Sequence, residues 1–144
     1  MKILFSFIFL ILAFSSCRQE PVHESKLTWK PYSQQTLEDS IAHKKPVVID
    51  FFADWCPVCH ELDRTLFSRP EIQAKLSQVT ALRMDATDQY DPKVQQILGQ
   101  YQLEGLPTIV FLDSNGKEIE DARLIGFVTP SDFSQAFALL KIFK

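Results

Sequence analysis

The 144-residue chain holds few of the residues that build reactive sites: three cysteines, three histidines and two methionines. Each scarcity excludes something. Three cysteines cannot form a disulfide-stapled scaffold, which needs a dense and even set. A zinc site needs four ligands, and beyond Cys56, Cys59 and His60 no second Cys/His pair supplies them. Glycine occurs four times, and nothing matches a nucleotide fingerprint. Fifteen Lys and Arg stand against eighteen Asp and Glu, for a net charge of −3. They are scattered without a basic stripe, which excludes nucleic acid as a partner. There is no internal repeat and no low-complexity stretch.

One long apolar run is present, at residues 3–14 after Met1-Lys2, followed by Ser15-Ser16-Cys17. It is too brief to span a membrane, and small residues precede its break, so residues 1–16 read as a signal peptide. Phe14-Ser15-Ser16-Cys17 resembles the lipobox of bacterial lipoproteins, with Phe at the usual aliphatic position. That resemblance implies a lipid on Cys17, which becomes the first mature residue and anchors the chain to a membrane. Cleavage leaving a free Cys17, or an uncleaved anchor, stays open, and in each case the domain lies outside the cytoplasm. Residues 17–26 are polar, include Pro21 and read as a tether. Residues 27–144 have the size of one domain with a single core.

Along that domain the pattern predicts an edge strand over 27–32 and a short helix over 37–42 with Thr36 as its cap. Residues 47–53 are too uniformly apolar for a half-exposed strand and predict a central one, buried on both faces. A helix follows from Cys56, with Leu62 and Leu66 on one side. It breaks near Ser68-Arg69-Pro70 and resumes over 71–76. A strand over 79–85, a helix over 92–101 capped by Asp91 with Val94, Ile97 and Leu98 inward, and a strand over 107–112 come next. Asp113-Ser114-Asn115-Gly116 predicts a turn, 118–128 a bent fourth strand, and Thr129-Pro130 the start of a last helix with Phe133, Phe137 and Leu140 on its stripe. The fold class is α/β, a single mixed sheet flanked by helices.

The chemistry concentrates at Cys56-Pro57-Val58-Cys59, where the apolar strand gives way to a helix. Two thiols three apart at a helix start can close a small disulfide. The first also meets unpaired N–H groups and the positive end of the helix dipole, which stabilise a thiolate. Cys56 is therefore the expected nucleophile and Cys59 the resolving thiol. Cys56 to His60 also spells the c-type haem attachment motif. A haem would want a second axial ligand, and outside the signal peptide the chain offers only Met84, inside a predicted strand, with His23 and His43. The expectation is no metal and no cofactor beyond the redox-active Cys56–Cys59 disulfide, with electrons arriving through another protein.

The order strand, CxxC, helix, strand, helix, then Leu106-Pro107-Thr108 before a hairpin resembles the thioredoxin fold over residues 27–144. Four segments are more narrowly similar to the C-terminal periplasmic domain of the DsbD family: 50–56, 65–70, 105–109 and 123–127. The resemblance implies a stand-alone thiol–disulfide reductase on the periplasmic side. It would be a monomer, taking electrons from a membrane electron-donor protein and passing them to envelope proteins with disulfides. An oxidase or isomerase running the same site in the other direction, or a non-catalytic adaptor, is the alternative. Pro107 resembles the cis-proline that faces the CxxC, so that Trp55, Pro57, Val58, Leu106 and Pro107 would contact substrate. Asp50 matches the buried acid of thioredoxins, whose pKa burial should raise and which would exchange a proton with Cys59. Asp63, four residues after Cys59, is either a second acid controlling thiol protonation or a solvated surface residue. His60 stands where the family more often has Lys.

Overall fold

The computed structural model describes residues 28–142, so the expected signal peptide 1–16, Cys17 and the tether 17–26 lie outside the described residues. The first strand, β1 (Lys30–Pro31), is two residues long. Pro31 has no N–H with which to extend the ladder. Helix α1 (Gln34–Ala42) starts three residues before the expected position. Ser33, not Thr36, is its cap, because the Ser33 hydroxyl accepts the Thr36 N–H at 3.0 Å and satisfies an otherwise orphaned donor. Strand β2 (Val47–Phe52) is buried along nearly its whole length.

Beyond it, α2 (Pro57–Leu62) runs without interruption into a π-helical turn (Asp63–Phe67), which the sequence pattern does not announce. The expected break comes at Ser68-Arg69, and α3 (Pro70–Leu76) resumes with proline at its first position, where a missing N–H costs nothing. Then come β3 (Thr80–Asp85), α4 (Pro92–Gln100) with Asp91 as its cap, and β4 (Thr108–Leu112).

The expected strand over 118–128 is a correction. Only an isolated bridge from Leu112 to Glu118 and the two-residue β5 (Leu124–Ile125) pair with β4. Between them a 3₁₀ turn (Glu120–Ala122) buries Ala122. It also delivers the Arg123 guanidinium to the Tyr101 carbonyl and the Glu118 carboxylate. These contacts outweigh two further ladder positions for a polar run with no period-2 alternation. Helix α5 (Pro130–Ala138) begins with a capping box, Thr129 accepting from the Asp132 N–H while the Asp132 carboxylate accepts from Thr129.

The strands lie in the order β1-β3-β2-β4-β5. β1 and β2 run parallel to β3, while β4 runs antiparallel to both β2 and β5, so the sheet is mixed. The crossover from β2 to β3 is made by α2, the π turn and α3. Alternation along β2 divides the core. Val47, Ile49 and Phe51 pack on the α1 and α4 side. Val48 faces the other side, where Leu62, Leu66, Ile72 and Phe133 cover the sheet. Asp50 shares the parity of Val48 and therefore lies beneath α2. Arg83 in β3 is directly opposite Asp50 in the parallel register, and its neighbour Ala81 belongs to the same face. Among the described residues no helix is long and apolar enough to cross a membrane.

Candidate active site

Cys56 is the N-cap of α2, in extended backbone conformation, with its Sγ accepting the Cys59 N–H at 3.2 Å. Pro57 takes the first helical position, where its missing N–H leaves no orphaned donor. Cys56 and Cys59 are joined in a disulfide, their Cα atoms 5.3 Å apart. Both are buried, packed with Ala53, Phe52 and Leu106. The capping sulfur receives the Cys59 N–H at the positive end of the helix dipole. A thiolate there is stabilised more than a thiol.

The Leu106–Pro107 peptide bond is cis, and Leu106 packs against the cysteine pair. The Pro107 carbonyl accepts the Gly126 N–H at 2.9 Å, which ties the end of β5 to the same loop. Trp55 is 52% exposed next to Cys56. Its indole Nε1–H donates to the Thr87 carbonyl at 3.0 Å, and the Thr87 hydroxyl accepts the Asp54 N–H at 2.9 Å. The loop before α2 is thereby pinned to the loop after β3. His60 adds a brace, its Nε2 donating to the Asp54 carbonyl at 2.7 Å, so the ring supports the loop from the solvent side. Pro57 and Val58 are exposed.

On the face of β2 shared with Val48, Asp50 is 1% exposed. Its Oδ2 accepts from Arg83 Nε at 2.9 Å, and Arg83 Nη2 donates to Asp63 Oδ1 at 2.7 Å. Burial pushes the Asp50 carboxyl up to about 7, against the pull of the Arg83 guanidinium and with added push from the Asp63 charge. The Arg83 guanidinium rests on the Phe52 ring at 4.1 Å and faces Trp29 at 5.6 Å.

The fold thus gathers Cys56, Cys59, Trp55, Leu106 and Pro107 at one end of the sheet, and joins Asp50 to Asp63 through Arg83. Arg83, Thr87 and Gly126 were not singled out by the sequence reading as site residues. A lone arginine inside an apolar strand is the signal that could have drawn attention to Arg83, and its pairing with Asp50 emerges only with the strand register. Among the described residues no group of three or more His, Cys, Asp or Glu side chains is placed to hold a metal ion.

A family profile described as a thioredoxin-like domain matches residues 33–141. Thiol:disulfide interchange protein DsbD of Photorhabdus laumondii is 37% identical over 107 residues, which cover 74% of this chain and 18% of that protein. The chain spans about a fifth of the length of the curated relatives it matches. The oxidised DsbD C-terminal domain of Neisseria meningitidis superposes with a TM-score of 0.61 at 30% identity, covering 73% of this chain and 86% of that one. A DsbH oxidoreductase superposes with a TM-score of 0.67 at 25% identity, covering 88% of this chain and 92% of that one.

Proposed function

The chain belongs to the thioredoxin-like family, and from that premise we propose that it is a thiol:disulfide oxidoreductase of the cell envelope that works as a reductase. The observation that carries this reading is the Cys56–Cys59 disulfide at the N-cap of α2, flanked by the cis Leu106–Pro107 bond. Similarity to the DsbD C-terminal domain supports it.

In the reduced protein the Cys56 thiolate attacks one sulfur of a client disulfide. A mixed disulfide forms and the first client thiolate leaves. Cys59, losing its proton to Asp50, then attacks the Cys56 sulfur. The Cys56–Cys59 disulfide closes, the second client thiolate leaves, and two electrons have passed to the client. Trp55, Pro57, Val58, Leu106 and Pro107 form the contact surface, and the backbone beside Pro107 offers hydrogen bonds to an extended client segment. No cofactor takes part. A membrane electron-donor protein returns the site to the dithiol by the reverse exchange, and the clients are envelope proteins with disulfides. The domain at 27–144 works as a monomer, tethered by 17–26 after removal of 1–16 and anchored through lipid on Cys17. An unmodified Cys17 in the mass spectrum of the native protein would overturn the anchor.

The division of labour between the thiols gives the test. Cys59→Ala in the native cell envelope should accumulate mixed disulfides with clients, because the thiol that resolves them is gone, and Cys56→Ala should capture almost nothing. Wild-type protein should be mostly reduced in the same cells. Mostly oxidised protein beside reduced clients would reverse the direction, and trapping through Cys59 would overturn the choice of nucleophile.

A further inference from the structure

Arg83 hydrogen-bonds both Asp50 and Asp63. Asp50 comes from β2, Arg83 from β3 and Asp63 from the π turn, so three separate elements converge on one guanidinium. Nε serves Asp50 at 2.9 Å and Nη2 serves Asp63 at 2.7 Å. The side chains differ in access: Asp50 is 2% exposed, Arg83 19% and Asp63 38%. One end of the chain of charges is therefore dry and the other meets water. The Phe52 and Trp29 rings hold the guanidinium in place. Among the described residues, Arg83 and Asp63 are the charged groups that act on Asp50. β4 sets Ile109 across from it, α2 brings cysteines that are uncharged in the disulfide, and Arg64 of the π turn pairs with Glu61 on the exposed side.

We infer that Arg83 is a positioning residue of the redox site, dividing one guanidinium between Asp50 and Asp63 so that the charge on the buried acid depends on how much of that cation the outer acid takes. Two ionised carboxylates and one guanidinium sum to −1, and protonation of either acid brings the group to zero. Burial disfavours the ionised form of Asp50. The guanidinium pulls its ionisation back toward neutrality, and Asp63 limits that pull. A carboxyl poised near neutral pH can both take and return a proton. The effect on turnover rests on the reading that Asp50 receives the Cys59 proton, whereas the coupling among the three side chains does not.

The two outer partners must therefore act with opposite sign. In the oxidised full chain, the Asp50 carboxyl would be titrated by carbon-13 NMR in the parent and in Arg83→Met, Arg83→Lys and Asp63→Asn. Arg83→Met should raise the Asp50 midpoint by about one pH unit or more, Asp63→Asn should lower it, and Arg83→Lys should restore part of the parent value. A purely structural clamp predicts no such opposition. Midpoints that stay fixed, or that move the same way in Arg83→Met and Asp63→Asn, overturn the inference. If Arg83→Met does not fold, Asp63→Asn still decides it: a lowered midpoint supports the inference, and an unchanged or raised one overturns it. Rates of client-disulfide reduction against pH separate the two ideas. Shifted midpoints with an unshifted rate profile leave the coupling standing and remove Asp50 from the proton path.

Discussion

Asp50 carries opposite demands on one side chain: the proposed mechanism asks it to exchange a proton, and it is almost wholly buried. Its carboxyl moves from 3.8 to about 7 on folding, so between those values the folded chain holds a proton that the unfolded chain releases. The contribution of this group to stability is complete below about pH 4, falls as pH rises toward 7 and is constant above. Three pH units correspond to at most about 4 kcal/mol. Asp50→Asn carries no such charge, so its unfolding free energy relative to the parent should improve by about 2 kcal/mol or more between pH 4 and pH 8. Denaturant unfolding of both oxidised proteins at the two pH values checks this, and parallel profiles would sink it. At this scale the sequence indicated Asp50 and Asp63 by their offsets from Cys56 and Cys59. It left Asp63 open between acid and surface residue, and the hydrogen bond of Asp63 to Arg83 arises from a strand distant in the sequence.

Elements with strong local signals formed where the pattern put them, and those without did not. The turn after β4 is one with a signal. The Asp113 carboxylate accepts the N–H groups of Asn115 and Lys117 at 2.8 and 3.0 Å, and Gly116 takes a φ of +80°. A Cβ at Gly116 would fall on the Ile41 side chain of α1. Gly116→Ala should therefore cost about 1–3 kcal/mol, from left-handed backbone and from crowding. Ile41→Ala in the same chain should recover the crowding part, which a double-mutant cycle by thermal unfolding reads directly. Additive losses would show that Ile41 simply moves aside. The strand expected over 118–128 failed for a different reason. Its polar stretch gains more from the turn that buries Ala122 and seats Arg123 than from extended pairing. The π turn at Asp63–Phe67 had no signature either, because the spacing of Leu62 and Leu66 fits an ordinary helix.

At the scale of the whole molecule, the exposed apolar side chains among the described residues include Trp55 just before α2, Val58 within it and Phe127 after β5. Phe127 is 62% exposed, and its neighbour Gly126 is bonded to the Pro107 carbonyl, so the ring stands at the edge of the cis-proline loop. Under the function proposed above, an uncovered ring next to the residue tied to Pro107 would serve in contact with a protein client. Phe127→Ser should lower kcat/KM for a protein disulfide about tenfold. Reduction of a small aromatic disulfide, which needs only the sulfurs, should change less than about twofold. Equal losses on both substrates would place Phe127 in the support of the site rather than in docking.

The sequence by itself determined the chemistry and the class of fold. Two thiols three apart at a strand-to-helix junction define a dithiol site through local geometry alone, and the apolar run of β2 defines a central strand through periodicity. Both are short-range properties, fixed by residues near one another along the chain. Tertiary structure decided what depends on register between distant segments. Arg83 lies opposite Asp50 because two parallel strands pair in one particular alignment. Asp63 reaches the same guanidinium from the π turn, and Thr87 holds Trp55 across 32 residues. No local pattern encodes such meetings, because they arise only after burial of the two core faces has selected a single alignment of the sheet.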